Sequence, residues 1–234
     1  MGGWLNRWLH RPVFDFVWAS TSRDGVNACR AASGMPPLAS SPLHSLLSST
    51  PTLLLFSSSL LPKPNDYPPH ATIVGAPPAP LPAPLPPLPP HVDAFLSAPN
   101  GSAVVLITLG SMSEYLDAEH SADASRRGAH DVMRLVAVAA ASLGLRALVM
   151  ADESLAPFSS PLPFSKQFST QTLCVCSPSV PHALLLPRVA CVACHGGSGT
   201  AHAALRHGVP VLALAVQTQW DQLFWVRGVI LTQG

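Results

Sequence analysis

Short apolar runs alternate with stretches of helical spacing from Ser102 onward, and that alternation restricts the fold more than any other feature. Val104–Leu109 is a near-continuous run that stops at Gly110-Ser111, as a parallel strand buried on both faces does. Val132, Leu135, Val136, Ala139 and Leu143 then recur at helical spacing. Leu145–Met150, Thr172–Cys176 and Val189–Cys194 read as further strands, Ala201–His207 as a helix, and Val209–Ala215 as a last strand. Strands and helices in this order predict an α/β fold, a Rossmann-like parallel sheet wound on both faces. Ligands of such sheets lie beyond the carboxyl ends of the strands. Two loops far apart in sequence, Gly110-Ser111 and His195–Thr200, both fall at that edge.

The rest of the chain is organised differently. Residues 1–48 mix tryptophans, charges and Ser-rich turns without one period, and residues 62–90 are dense in proline. Proline lacks the amide that helices and central strands need, so this stretch predicts an extended connector, with ligand for a proline-reading module as the alternative. An apolar patch inside it, Ala71-Thr-Ile-Val-Gly75, suggests packing against a domain, and Glu114–Gly128 reads as a polar insertion.

Composition narrows the function. Of 234 residues only 11% are charged, against about a quarter in ordinary domains, and the net charge is +1. Nucleic acid is therefore not the expected partner, since phosphate backbones demand clustered Lys and Arg. No apolar run is long enough for a transmembrane span, and no secretion signal is visible. A cytoplasmic location is expected, with peripheral membrane contact left open. Cys29, Cys174, Cys176, Cys191 and Cys194 form no even disulfide set. Cys191-x-x-Cys194-His195 has the spacing of a c-type haem attachment, and the two cysteine pairs together could suggest zinc. Apolar strand surroundings favour plain structural thiols, and no metal site is expected.

Chemistry concentrates in Cys194-His195-Gly196-Gly197-Ser198-Gly199-Thr200. Glycines admit a ligand close to the backbone, and the unpaired amides of a helix start favour an anion. No lysine follows them, so this is not a Walker A loop, and the G-x-G-x-x-G pattern is absent as well. Asp221-Gln222 offers an acid and an amide suited to sugar hydroxyls. Ser177-Pro-Ser-Val180-Pro-His182 ends another strand, with free backbone groups around Val180 that a flat base could use.

With these residues in view, the chain resembles the nucleotide-sugar glycosyltransferases of the sterol 3-beta-glucosyltransferase type and the related macrolide-antibiotic enzymes. Val180-Pro-His-Ala-Leu-Leu-Leu-Pro-Arg188, Cys194–Thr200, Gly208-Val-Pro210 and Trp220-Asp-Gln-Leu-Phe-Trp225 are similar to four ordered family motifs. Leu106–Met112 resembles the strand and loop that open the family's nucleotide domain, and Asn27–Arg30 with Gly34–Pro37 resembles the end of its first domain.

The resemblance implies the C-terminal lobe of a two-lobed GT-B glycosyltransferase, truncated at both ends. Residues 1–60 would be a remnant of the N-terminal acceptor domain, 61–100 the interdomain linker, and 101–234 the nucleotide-sugar domain. Ser111, His195, Gly197, Ser198, Gly199 and Thr200 would hold the donor diphosphate. Val180 and His182 would meet the uridine, and Asp221 and Gln222 the sugar. The implied reaction carries a hexose, glucose by resemblance, from a UDP-sugar to a sterol or other lipophilic hydroxyl with inversion. The UDP-sugar is a co-substrate, and no cofactor is implied. The catalytic base has no candidate in this chain, so the alternative expectation is a non-catalytic nucleotide-binding or partner-binding remnant.

Overall fold

The computed structural model of the chain describes residues 12–42, 49–63, 65, 67–78, 84–99, 102–122, 128–151, 169 and 171–214. The chain divides into two compact units, Met1–Gly75 and Ala76–Gly234.

In the first unit a π-helical turn, Trp18–Ser22, leads into helix α1, Arg23–Ala32. Gly34 ends it with φ at +69°, a conformation that costs glycine nothing, while the Met35 amide reaches back to the Arg30 carbonyl at 2.8 Å. The loop beyond is stapled to the helix. Asn27 donates to the Leu38 carbonyl (3.1 Å) and accepts from the Leu38 amide (2.8 Å), and Arg30 Nε donates to the Pro36 carbonyl at 2.8 Å. Strands β1 (Thr52–Leu54) and β2 (Ala71–Ile73) pair in parallel. Lys63 Nζ crosses their connection to the Pro68 and Ala71 carbonyls, at 3.0 and 2.5 Å. Among the described residues of this unit, Ala71 alone is buried.

The second unit holds the core. Its elements run α2 (Pro90–Ser97), β3 (Val104–Thr108), α3 (Met112–Ala122), α4 (Ala129–Ser142), β4 (Arg146–Met150), β5 (Leu173–Cys176), α5 (His182–Leu185), a 3-10 turn (Leu186–Arg188), β6 (Cys191–Cys194), α6 (Ser198–Arg206) and β7 (Val211–Ala213). The five strands are all parallel, in the order β5-β4-β3-β6-β7. Every residue of β3 and β4 is buried, because helices cover both faces. Side chains alternate between two clusters as strand geometry requires. Val104, Leu106, Leu148, Met150, Val192 and Cys194 pack with Val92 and Phe95 of α2, Leu185 of α5 and Ala204 of α6. Val105, Ile107, Ala147, Val149 and Ala193 pack with Leu116 of α3 and Met133, Ala137 and Ala140 of α4. The parallel α/β sheet expected from the alternation is what forms.

Several boundaries differ from the sequence reading. Most of the Glu114–Gly128 stretch read as a polar insertion begins as a true helix, α3, whose Leu116 is buried. The Asp117 carboxylate of that helix accepts the Ala129 amide at 2.9 Å and so starts α4 ahead of Val132, where the helical spacing was first read. Helix α2 lies inside the stretch expected as linker. Its prolines stop at the first helical residue, Pro90, where a missing amide costs nothing.

Two arginines, one buried and one partly exposed, fix α2 to the sheet. Arg146, 6% exposed, opens β4 and donates to the Phe95 carbonyl (2.6 Å) and the Ser102 carbonyl (3.0 Å), with its guanidinium 5.0 Å from the Phe95 ring centre. A cation at carbonyls ending a helix is favourable. Arg188 donates to the Asp93 carboxylate at 2.6 Å and to Ser97 Oγ at 2.7 Å.

Candidate functional site

The strand order sets the site. From β3 the chain proceeds outward through β4 and β5, then returns to the other side of β3 to lay down β6 and β7. The crevice between the carboxyl ends of β3 and β6 is therefore the topological switch point, the usual ligand position in open α/β sheets. Thr108 and Cys194 are register partners, so Gly110 and Gly196 leave neighbouring strands two residues later on the same edge. Both take positive φ, +55° and +83°.

His195 lies between these two loops and is 8% exposed. A side chain at Gly197 would begin 2.2 Å from His195 Nε2 and 2.7 Å from Cε1. One at Gly110 would begin 3.2 Å from Cε1. The imidazole thus occupies the space that a Cβ at Gly197 would need, and Gly110 crowds it from the β3 side. Thr108 Oγ1 accepts the Gly110 amide at 3.3 Å and steadies that loop. The sequence placed the Gly110-Ser111 loop at this edge but assigned a ligand contact to Ser111 alone, and Thr108 was given no role. The signal was available in the glycine that ends a buried strand.

Helix α6 begins at Ser198, so Ser198, Gly199 and Thr200 form its first turn rather than a separate turn before it. Its cap is Gly197, with no side-chain capping bond, and its first turn carries no acidic residue. Ala201 is the first amide with an intrahelical acceptor, the Gly197 carbonyl at 3.0 Å. The amides before it point out of the helix at its positive end, where Ser198 and Gly199 are exposed. Ser111 is exposed at the start of α3, so a second helix N-terminus opens on the same edge. Such an arrangement holds an anion through backbone amides.

Val180 and His182 lie after β5, three strand spacings or about 14 Å from β6 across the sheet. The sequence reading of open backbone groups at Val180 needs correction. Its side chain is buried in the core, and its amide donates to the Ser177 carbonyl at 3.2 Å, closing a turn. His182 is half-buried at the start of α5, a four-residue helix that the sequence did not reveal. Burial holds its pKa below 6.5, so the ring is neutral at neutral pH. Its Nε2 is buried with no hydrogen-bond partner among the described residues. Asp221 and Gln222 lie outside the described residues.

The metal and haem alternatives fail on geometry. Cys194 packs in the cluster on one face of the sheet and Cys191 against the cluster on the other, so the two cannot grip one haem. Cys174 and Cys176 sit on β5, three strand spacings from β6, too far for all four sulfurs to share one zinc. Burial raises the Cys174 thiol to about 11 and the Cys176 thiol to about 12, which keeps both protonated. The described residues contain no group of three or more metal-ligating side chains.

No protein-family model matches the chain. In an alignment over 219 residues, covering 90% of the chain, it is 32% identical to the O-mycaminosyltylonolide 6-deoxyallosyltransferase of Streptomyces fradiae, of which the chain spans 42%. The crystal structure of a glycotransferase of kitacinnamycin superposes on 97% of the chain with a TM-score of 0.60 at 18% identity, and the chain spans 52% of it. A protein from O. sativa, solved with UDP and deoxynivalenol-3-glucoside, matches 76% of the chain with a TM-score of 0.51 at 18% identity; 38% of that protein is spanned. The fold is that of the GT-B glycosyltransferases, and in sequence the chain is similar to a macrolide-type glycosyltransferase. It covers about half or less of each of these proteins. Among the described residues no helix is long and apolar enough to cross a membrane.

Proposed function

We propose that the chain supplies the donor-binding lobe of a hexosyltransferase, in which a nucleoside diphosphate sugar rests across the carboxyl edge of the sheet. One observation carries this reading: His195 is wedged between Gly110 and Gly197 at the switch point, directly before the N-terminus of α6. The diphosphate would accept from the α6 amides and from His195, with Ser111 approaching from α3. The nucleobase would lie toward α5, where the Nε2 of His182 is buried with no hydrogen-bond partner among the described residues. In the transfer, an acceptor hydroxyl oxygen bonds to the anomeric carbon as the bond from that carbon to the diphosphate oxygen breaks. Inversion follows from attack opposite the leaving group. The acceptor proton passes to a base that none of the described residues provides at this edge. Amides and imidazole aimed at the departing diphosphate stabilise its charge as it develops, a contribution of about 3–4 kcal/mol at most per donor.

The finer reading concerns the sugar and the acceptor. Family resemblance points to glucose and a sterol, whereas the Streptomyces relative is named for a 6-deoxyallosyl group and a tylonolide acceptor. A lipophilic hydroxyl is common to both, and we favour a macrolide-like acceptor over a sterol. Asp221 and Gln222 would bind the hexose. The same reading places the protein in the cytoplasm, with the nucleotide sugar as co-substrate and no bound metal.

Calorimetry of the chain with UDP, dTDP, UDP-glucose and a dTDP-6-deoxyhexose tests the proposal. Binding of at least one, weakened about tenfold or more by His195→Ala, is expected. Failure of all four to bind, or equal binding by the variant, refutes the donor site. A glycosyl-transfer assay on the same chain separates an active transferase from a donor-binding remnant.

A further inference from the structure

The proline-rich stretch before α2 has a structural property that donor binding does not use. Within Pro84-Leu-Pro-Pro-Leu-Pro-Pro90, residues 85, 86, 88 and 89 each precede a proline, which drives them out of helical conformation into extended backbone. The prolines hold their own φ near −65°, and Pro89 stands at φ −54°, ψ 136°, inside the polyproline II region. Three residues make one turn of that helix. Positions 84, 87 and 90 therefore share one ridge, and all three prolines are exposed. The neighbouring ridge is seated at Leu88, which packs against the core beside Val92 and Phe95, while Leu85, one turn earlier on it, is exposed.

The segment is also held at its C-terminal end. Pro90 is the first residue of α2, and α2 is clamped by Arg146 and Arg188. Farther up the chain, Arg206 of α6 donates to the carbonyl of Ala76. A ligand already extended and anchored loses little conformational entropy on binding, which is the advantage of polyproline recognition. Between Pro84 and Pro90 there is no charged residue, and the following His91 bonds the Val175 carbonyl through Nε2 at 3.1 Å.

We infer that Pro84–Pro90 is a docking ridge for a proline-reading module whose groove is aromatic and uncharged. The partner's rings would sit against Pro84 and Pro87, while Leu88 stays seated on the core. A groove that needs a basic residue beside the prolines finds none here. The inference is independent of the donor site, since the ridge precedes the sheet and shares no residue with it.

The test titrates the full 234-residue chain with a single WW domain and, separately, with an SH3 domain selected for arginine-flanked ligands. Circular dichroism checks that each variant is folded. Saturable binding of the WW domain is expected, weakened about tenfold or more in Pro84→Ala/Pro87→Ala and much less in the donor-site variant His195→Ala. A synthetic peptide of residues 83–91 should bind more weakly than the whole chain, because it must be ordered first. Three outcomes overturn the inference. The peptide binds while the chain does not, the double variant binds as well as the parent, or the SH3 domain binds in preference to the WW domain.

Discussion

The two ends of the five-stranded sheet are built on opposite principles. At the amino end, Arg146 is buried with its guanidinium engaged by two carbonyls and an aromatic ring, and Arg188 ties the same helix by its side chains. At the carboxyl end the backbone is glycine-rich, two glycines adopt positive φ, and the first turn of α6 has neither a capping side chain nor a carboxylate. One end satisfies its polar groups internally; the other leaves amides for something else to satisfy. Stability is therefore concentrated at one end and ligand binding at the other. Substitutions at the closed end should change stability and leave donor affinity alone, and substitutions at the open end should do the reverse.

Arg146→Ala should have the largest effect. It removes a donor from the Phe95 carbonyl, which keeps only the Ala98 amide at 3.4 Å, and from the part-buried Ser102 carbonyl, at about 1–3 kcal/mol each, so a loss of about 3 kcal/mol in urea-measured stability is expected. UDP affinity of the folded fraction should not change; a large loss of affinity would erase the contrast between the ends. Gly197→Ala comes next. Its backbone, at φ −61° and ψ 138°, tolerates alanine, but the new Cβ displaces the His195 ring. UDP affinity should fall by roughly 2 kcal/mol, about thirtyfold, with stability within about 1 kcal/mol of the parent, as read by calorimetry and urea melts together. Arg188→Ala sharpens the closed end. Its partners are partly exposed, so about 1 kcal/mol is expected from the lost pair.

The smallest effect near neutral pH belongs to the thiols. Burial raises Cys176 from 9.0 to about 12, with the neighbouring Cys174 adding to the shift. The folded state holds its proton more tightly than the unfolded chain does. That contribution is complete below pH 9.0 and is lost as pH rises from 9.0 toward about 12. Cys176→Ala should therefore flatten the fall of stability with pH in that window and alter nothing of its slope near pH 7. An unchanged alkaline slope would show that the thiol is not held in the core as described.

Much of this was legible in the sequence, and the rest was hidden for identifiable reasons. Strands β3 and β4 are buried on both faces, so their apolar runs marked them within a residue or two. His195–Thr200 was visible because glycine and histidine are conspicuous after such a run. Helix α3 was not, since it buries only one long apolar side chain among the side chains described and looks polar throughout. Arg146 fell inside the strand read as Leu145–Met150, yet its role depends on Phe95 and Ser102, a contact across 51 and 44 residues that no local pattern encodes. The engagement of the Val180 amide with Ser177 is likewise a property of the turn that forms, not of the residue types.

The carboxyl edge between β3 and β6 is the proposed seat of a nucleoside diphosphate. The most direct measurement is a heteronuclear NMR titration of the chain with UDP, following backbone amides and the His195 ring nitrogens. The largest shifts are expected at Gly197, Ser198, Gly199 and Thr200, with Gly110, Ser111 and the His195 ring moving alongside, and near silence around Arg146 and Arg188. Shifts centred on the amino end, or none at the start of α6 while UDP binds, would contradict it.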